Sequence, residues 1–178
     1  MNFFARFFGH LHTVDHHRWL VLRLCFMAGL YHQGLVHDLS KYSFTEFWPG
    51  VRYYQGDRSP ISAEMRDKGV SLAWLHHKGR NRHHWQYWVN FFHDEAQVSE
   101  MPLKYVKEMA CDRIAACMIY QKDHYHPSSA LEFLERSHEA RFIPPHTYAR
   151  LHEYLSWVAK EDLKTAMKQI RGDHRPIG

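Results

Sequence analysis

Along this chain the apolar positions recur at helical spacing. His17, Val21, Leu24 and Ala28 fall on one helical face, as do Tyr148, Leu151, Leu155 and Val158. Alternating runs bounded by turn residues are hard to find, so the pattern predicts an all-α fold with little or no sheet. A first helix is expected from His12 to Ala28, ending near Gly29. After Gly34 comes a short apolar stretch carrying His37-Asp38. Ser43-Phe44-Thr45-Glu46 then reads as a capping box that opens the next helix. Beyond a loop from Gln55 to Pro60, two short helices follow, one ending at Gly69 and one running from Ser71 into His77. Lys78 to Arg82 is a polar turn, and His83 to Phe92 is expected to be helical again. Pro102 suits the first turn of a long helix reaching about Tyr120. Pro127 and Pro144-Pro145 separate the last helices, and the tail from Gly172 is expected to fray. No linker or repeat divides the chain. One domain over residues 1–178 is expected, with a chemical core at about 10–120 and C-terminal helices at about 128–171.

Composition adds one unusual fact. The 178 residues include 17 histidines against 19 carboxylates, and imidazole is the commonest metal ligand among side chains. A formal charge of +4 is compatible with a phosphate-bearing substrate without requiring one. Cys25, Cys111 and Cys117 show no CxxC pairing and read as reduced core residues of a cytoplasmic protein. The run Trp19 to Leu30 is too short to span a bilayer and contains Arg23, so no membrane partner is expected.

Three segments carry chemistry. In His37-Asp38-Leu39-Ser40-Lys41, an imidazole and a carboxylate can reach one cation. The second copy, His93-Asp94, runs into Glu95 and reads as a solvated helix end. Asp112 lies within an apolar stripe formed by Tyr105, Met109, Ala116 and Ile119, on a helix that is apolar on a second side as well. It is therefore expected to be buried, paired either with a cation or with a basic group such as Arg113. The pairs His76-His77 and His83-His84 flank the basic turn with Lys78, Arg80 and Arg82, so imidazoles from both ends can point into one space.

The order His, His-Asp, His, His, Asp resembles the HD superfamily of metal-dependent phosphohydrolases. His17-Arg18-Trp19-Leu20-Val21 stands where that superfamily has its first-helix His. His37-Asp38-Leu39-Ser40-Lys41 resembles its central core, and Asp112-Arg113-Ile114 its closing motif. The stretches His37 to Gln55 and Ala73 to Trp88 resemble, more narrowly, a small uncharacterised family of HD-like proteins from bacteria and phages. Some members of that family carry the label catalase. His10 shares the helical face of His17 and competes for the first position, where His17 is preferred. His12 and His16, four apart, read as a solvated face.

The resemblance implies a catalytic site. His17, His37, Asp38 and Asp112 would hold one divalent cation. A second would be bridged by Asp38 and held from the pairs His76-His77 and His83-His84, with His77 and either His83 or His84 preferred. Mn, Fe, Zn, Co and Ni all suit such a mixed shell. Lys41, Arg80 and Arg82 would stabilise a phosphoryl oxygen. Glu46 would orient water or act as acid, although its role in the cap is favoured. The implied activity is hydrolysis of a phosphomonoester or phosphodiester, with a small phosphorylated substrate such as a nucleotide. A di-iron oxygenase and a non-catalytic binding module are the rivals. The module would contact nucleic acid through Arg52, Tyr53, Tyr54 and Arg58, against a favoured reading of those aromatics as core. A symmetric homodimer is compatible with the sequence.

Overall fold

The computed structural model describes residues 1–178, the side chain of Phe92 excepted. It is an all-α protein, and the long helix α1 (Phe3–Met27) begins nine residues before the expected start. Asn2 causes the earlier start: its side chain accepts from the Ala5 amide at 2.9 Å and caps the first turn. α1 buries His10, Val14, His17, Val21 and Leu24, a spacing of three and four that draws one stripe. Gly29, at φ +77°, ends it in the left-handed conformation that glycine adopts without strain.

There follow α2 (Tyr31–Val36), α3 (Phe44–Tyr53), α4 (Pro60–Lys68) and α5 (Leu72–Lys78). The chain then runs to α6 (Leu103–Gln121), α7 (Ser129–Arg136), α8 (Pro145–Lys160) and α9 (Leu163–Gly172). α6 is buried nearly all round, from Val106 through Cys111 and again at Ile114, Ala115 and Cys117, so it is the axis of the domain. α1, α7 and α8 pack on it, and α9 rests against α1 and α8. Val21, Leu24, Met109, Ile114, Leu134, Leu151, Tyr154 and Ile170 fill the space between them. No helix among the described residues is long and apolar enough to cross a membrane.

Four local expectations are corrected. Residues 83–92 are not a helix. A short 3₁₀ turn at Trp85–Trp88 leads into an antiparallel hairpin of β1 (Val89–Phe92) and β2 (Glu95–Val98), with Val89 opposite Val98. His93-Asp94 is the two-residue hairpin turn rather than a helix end. Both residues have positive φ, which matches the right-handed twist of the strands. The box at Ser43–Glu46 is not formed: Ser43 precedes α3, but its hydroxyl makes no cap and Glu46 turns inward. Nor is the C-terminus frayed. The Asp173 carboxylate accepts from Arg150, Tyr154 and Arg175, pinning the tail to α8.

That clasp sets a pH dependence. The Arg175 guanidinium outweighs the opposing effect of burial and, with Tyr154 and Arg150, holds the Asp173 carboxyl well below the usual carboxylate range. A depressed carboxyl contributes stability above its unfolded value of about 3.9, and loses it as pH falls through the native value. Asp173→Asn is therefore expected to lower the thermal midpoint at neutral pH. In melts recorded at falling pH, the gap from the parent should close below about pH 4.

Gly50 in α3 is needed for a different reason: a Cβ there would land on the His10 ring. Gly50→Ala gains about 1 kcal/mol in helix propensity. Overpacking at the upper end of about 1–3 kcal/mol should exceed this and lower the melting temperature. Gly172→Ala, which meets nothing, should not lower it.

Candidate metal centre

α2 does not continue into the His37-Asp38 pair. Asp38 takes φ +53°, a left-handed conformation that bends the chain into the 3₁₀ turn Leu39–Tyr42 and aims the carboxylate into the domain. Arg18 of α1 holds this bend from outside. Its guanidinium donates to the His37 carbonyl at 2.9 Å, the Leu35 carbonyl at 3.2 Å and the Tyr42 hydroxyl at 3.2 Å. Tyr42 in turn donates to Asp15.

Asp38 is 1 % exposed, and its two oxygens face different partners. Oδ2 lies 3.6 Å from His17 Nε2, 3.4 Å from His37 Nε2 and 2.7 Å from Lys41 Nζ. Oδ1 lies 3.4 Å from His77 Nε2 and 3.5 Å from His83 Nε2. Asp112 arrives from α6, its Oδ1 3.0 Å from His17 Nε2 and 3.5 Å from His37 Nε2. Two sets of ligand atoms thus share one carboxylate: His17, His37, Asp38 and Asp112 on one side, and Asp38, His77, His83 and His84 on the other.

His37, His77 and His83 are held with Nε2 inward by carboxylates behind them. Glu108 Oε1 lies 2.9 Å from His37 Nδ1 and 3.1 Å from His83 Nδ1. Glu46 is 2.7 Å from His77 Nδ1 and 2.6 Å from His76 Nδ1. A proton on Nδ1 bonded to such a carboxylate leaves the Nε2 lone pair free for a cation. The Nε2 atoms of His17, His37, His83 and His84, together with both Asp38 oxygens, are buried without an aligned hydrogen-bond partner. Asp38 Oδ2 has the Lys41 ammonium beside it, and since buried polar atoms are normally satisfied the other five ask for something to bind.

The charges agree. Burial would raise the Asp38 and Asp112 carboxyls, but the surrounding imidazoles, and Lys41 in the case of Asp38, hold both well below the usual range. Burial would lower His37, yet Asp38, Asp112 and Glu108 overcome it and raise the imidazole to about 10, so a cation binding at Nε2 would displace a proton from this ring. His84 is pushed well below its ordinary value by burial and by His83 and His77, so it stays neutral. Carboxylates and imidazoles turned inward in this way are the groups that coordinate metal ions. These groups could hold a metal ion.

The centre opens into a cleft of about 540 Å³ between α1, α3, α4 and α6. Lys41 and Asp112 stand at its floor, and Val14, Ile61, Trp74, Ile119 and Tyr120 line its walls.

Most of the sequence-predicted ligands are therefore gathered here, and some assignments change. His17 lies in the set with His37, Asp38 and Asp112. His10 packs against Phe47 and Tyr54 farther up the cleft, where burial and Lys41 lower its pKa to about 4. His76 lies outside both sets, its Nδ1 against Glu46. Glu46 serves neither as helix cap nor as a group free to act as acid, because both its oxygens are engaged by His76 and His77. Arg80 and Arg82 point away from the site. Between α5 and the hairpin, Asn81 and His83 are buried while Arg80 and Arg82 alternate outward, and Arg82 donates to the Tyr105 hydroxyl. Arg58 and Arg113 line the cleft instead, paired with Asp57 and Glu139. Asp112 is thus not the partner of Arg113. Sequence reading missed Glu108, although it lies four residues before Asp112 and so shares its helical face.

The fold and site define an all-α protein with a buried histidine–carboxylate centre suited to a metal ion. The chain belongs to the family of unknown function DUF5662, whose model matches residues 6–160. No curated protein and no solved structure matches it.

Proposed function

We propose that this protein is a metal-dependent phosphohydrolase of HD type, acting on a phosphomonoester or phosphodiester, in which His17, His37, Asp38 and Asp112, and Asp38 with His77, His83 and His84, would hold divalent cations. The observation that carries the reading is the division of Asp38, with Oδ2 facing His17 and His37, and Oδ1 facing His77 and His83. A carboxylate shared in this way is what a pair of cations needs. The sequence motifs around His17, His37-Asp38 and Asp112, which resemble the HD superfamily, support the same reading.

Cations held there would lower the pKa of bound water from about 15.7 toward about 7, supplying hydroxide at neutral pH. The chain's own residues do the rest. Glu108 and Glu46 fix the orientation of His37, His83 and His77. Lys41 stands on the cleft floor beside Asp38, placed to meet a phosphoryl oxygen and oppose its charge. The apolar walls exclude bulk water and strengthen these interactions. Fe, Mn, Zn, Co and Ni all fit the donor set.

The test is elemental analysis of protein purified without a histidine tag, followed by phosphate release from monoesters, diesters and nucleotides with each cation. Bound metal with turnover of at least one ester is expected. Bound iron with oxygen consumption and no ester cleavage would turn the assignment to a di-iron oxygenase. Bound metal with neither activity would leave a binding module.

A further inference from the structure

Away from the cleft, the outer ends of α1 and α3 carry an exposed aromatic surface. Phe3, Phe4, Phe8, Phe44 and Trp48 are 54, 68, 62, 79 and 39 % exposed. They form one surface: Trp48 contacts the rings of Phe3, Phe7 and Phe44 at centroid distances of 6.3, 6.0 and 6.0 Å. Phe4 and Phe8 continue it through Phe3 and Phe7. With roughly 200 Å² for a whole aromatic side chain, the exposed parts amount to about 600 Å². That is the upper limit of the largest apolar patch on an ordinary monomer, about 300–600 Å².

The charge around the patch selects its occupant. Arg6 and Arg52 lie together at its edge, the Arg6 guanidinium donating to the Arg52 carbonyl at 3.2 Å. Residues 1–14 and 47–56 contain no carboxylate, and Glu46 is buried against His76 and His77. A two-fold contact between copies would set this patch against itself, and the segments of α1 and α3 that form it bring no carboxylate to its cationic edge. A surface that is apolar beneath and anionic at its rim satisfies both features, and that is the headgroup region of a bilayer containing acidic lipids.

We propose that the aromatic end of α1 and α3 docks this protein onto anionic membranes, with Phe3, Phe4, Phe8, Phe44 and Trp48 entering the interface and Arg6 and Arg52 pairing with lipid phosphates. The sequence expectation of no membrane partner rested on the lack of a spanning segment, and a helix lying in the headgroup plane needs none. The proposal is independent of the metal centre.

The experiment is co-sedimentation of the full chain with vesicles of phosphatidylcholine alone and of equal parts phosphatidylcholine and phosphatidylglycerol. Binding to the anionic vesicles is expected to exceed binding to the neutral ones by about tenfold or more, and to weaken in molar salt. The double variant Phe4→Glu/Phe8→Glu should lose about tenfold or more of the affinity. Arg52→Glu should lose about fivefold or more, with unchanged circular dichroism in both variants. Three results would overturn the proposal: no sedimentation of the parent with anionic vesicles, binding indifferent to both changes, or a dimer in sedimentation equilibrium that Phe4→Glu/Phe8→Glu splits. The last would give the patch to a second copy of the chain.

Discussion

Asp38→Asn protein is expected to retain less than about a tenth of the metal bound by the parent, measured by elemental analysis after purification without a tag. Changing a residue that only supports a ligand commonly costs about 10–100-fold in affinity, and Asp38 serves both halves of the centre. Asparagine is chosen because it tolerates the left-handed backbone at this position, where alanine would add strain of its own. The loss therefore reports the missing negative oxygen rather than a refolded bend. A second readout separates binding from folding. The parent should gain about 2.7 kcal/mol of stability when the cation is raised to about one hundred times its dissociation constant, and the variant should gain almost nothing. Equal metal content in the two proteins would remove Asp38 from the ligand set, and the hydrolase proposal with it.

Glu108→Leu should be nearly as severe, although Glu108 faces away from the cleft. One carboxylate oxygen serves the Nδ1 atoms of both His37 and His83, so leucine strands two buried imidazole donors at once. Both rings then lose what keeps Nε2 inward. Metal affinity should fall by about 10–100-fold, read by competition with a chelator of known affinity. Glu108→Gln retains an oxygen that can accept from the same nitrogens and should recover part of the loss. If Glu108→Leu binds metal as tightly as the parent, the orientation of His37 and His83 does not depend on this contact.

How far the sequence could be read varied with the kind of signal. The stripe of α1 from Val14 through Val21 and Leu24 was plain, because a period of three and four states which side faces the core. The axial position of α6 followed from apolar residues on two of its sides. The hairpin at Val89–Val98 was missed because its turn lacks the usual asparagine or glycine, and an aromatic-rich approach has no distinct period. Arg80 and Arg82 were misplaced because a turn has no fixed face: only the burial of Asn81 and His83 sends their neighbours outward. Glu46 has the spacing of a local cap, but its partners lie 30 and 31 residues away.

From the sequence alone came the helical class, the course of α6 from about Pro102 to Tyr120 and the residue types suited to a cation, whereas Asp112, expected to be buried, is only half-buried on the cleft. Each depends on spacing within one segment, where the geometry of the helix converts position in the chain into direction. Tertiary structure decided that His17 rather than His10 faces Asp38, that the two Asp38 oxygens look toward different histidines, and that Glu108 stands behind two rings. These are relations among α1, the bend after α2, α5 and α6, and they are set by how the helices pack.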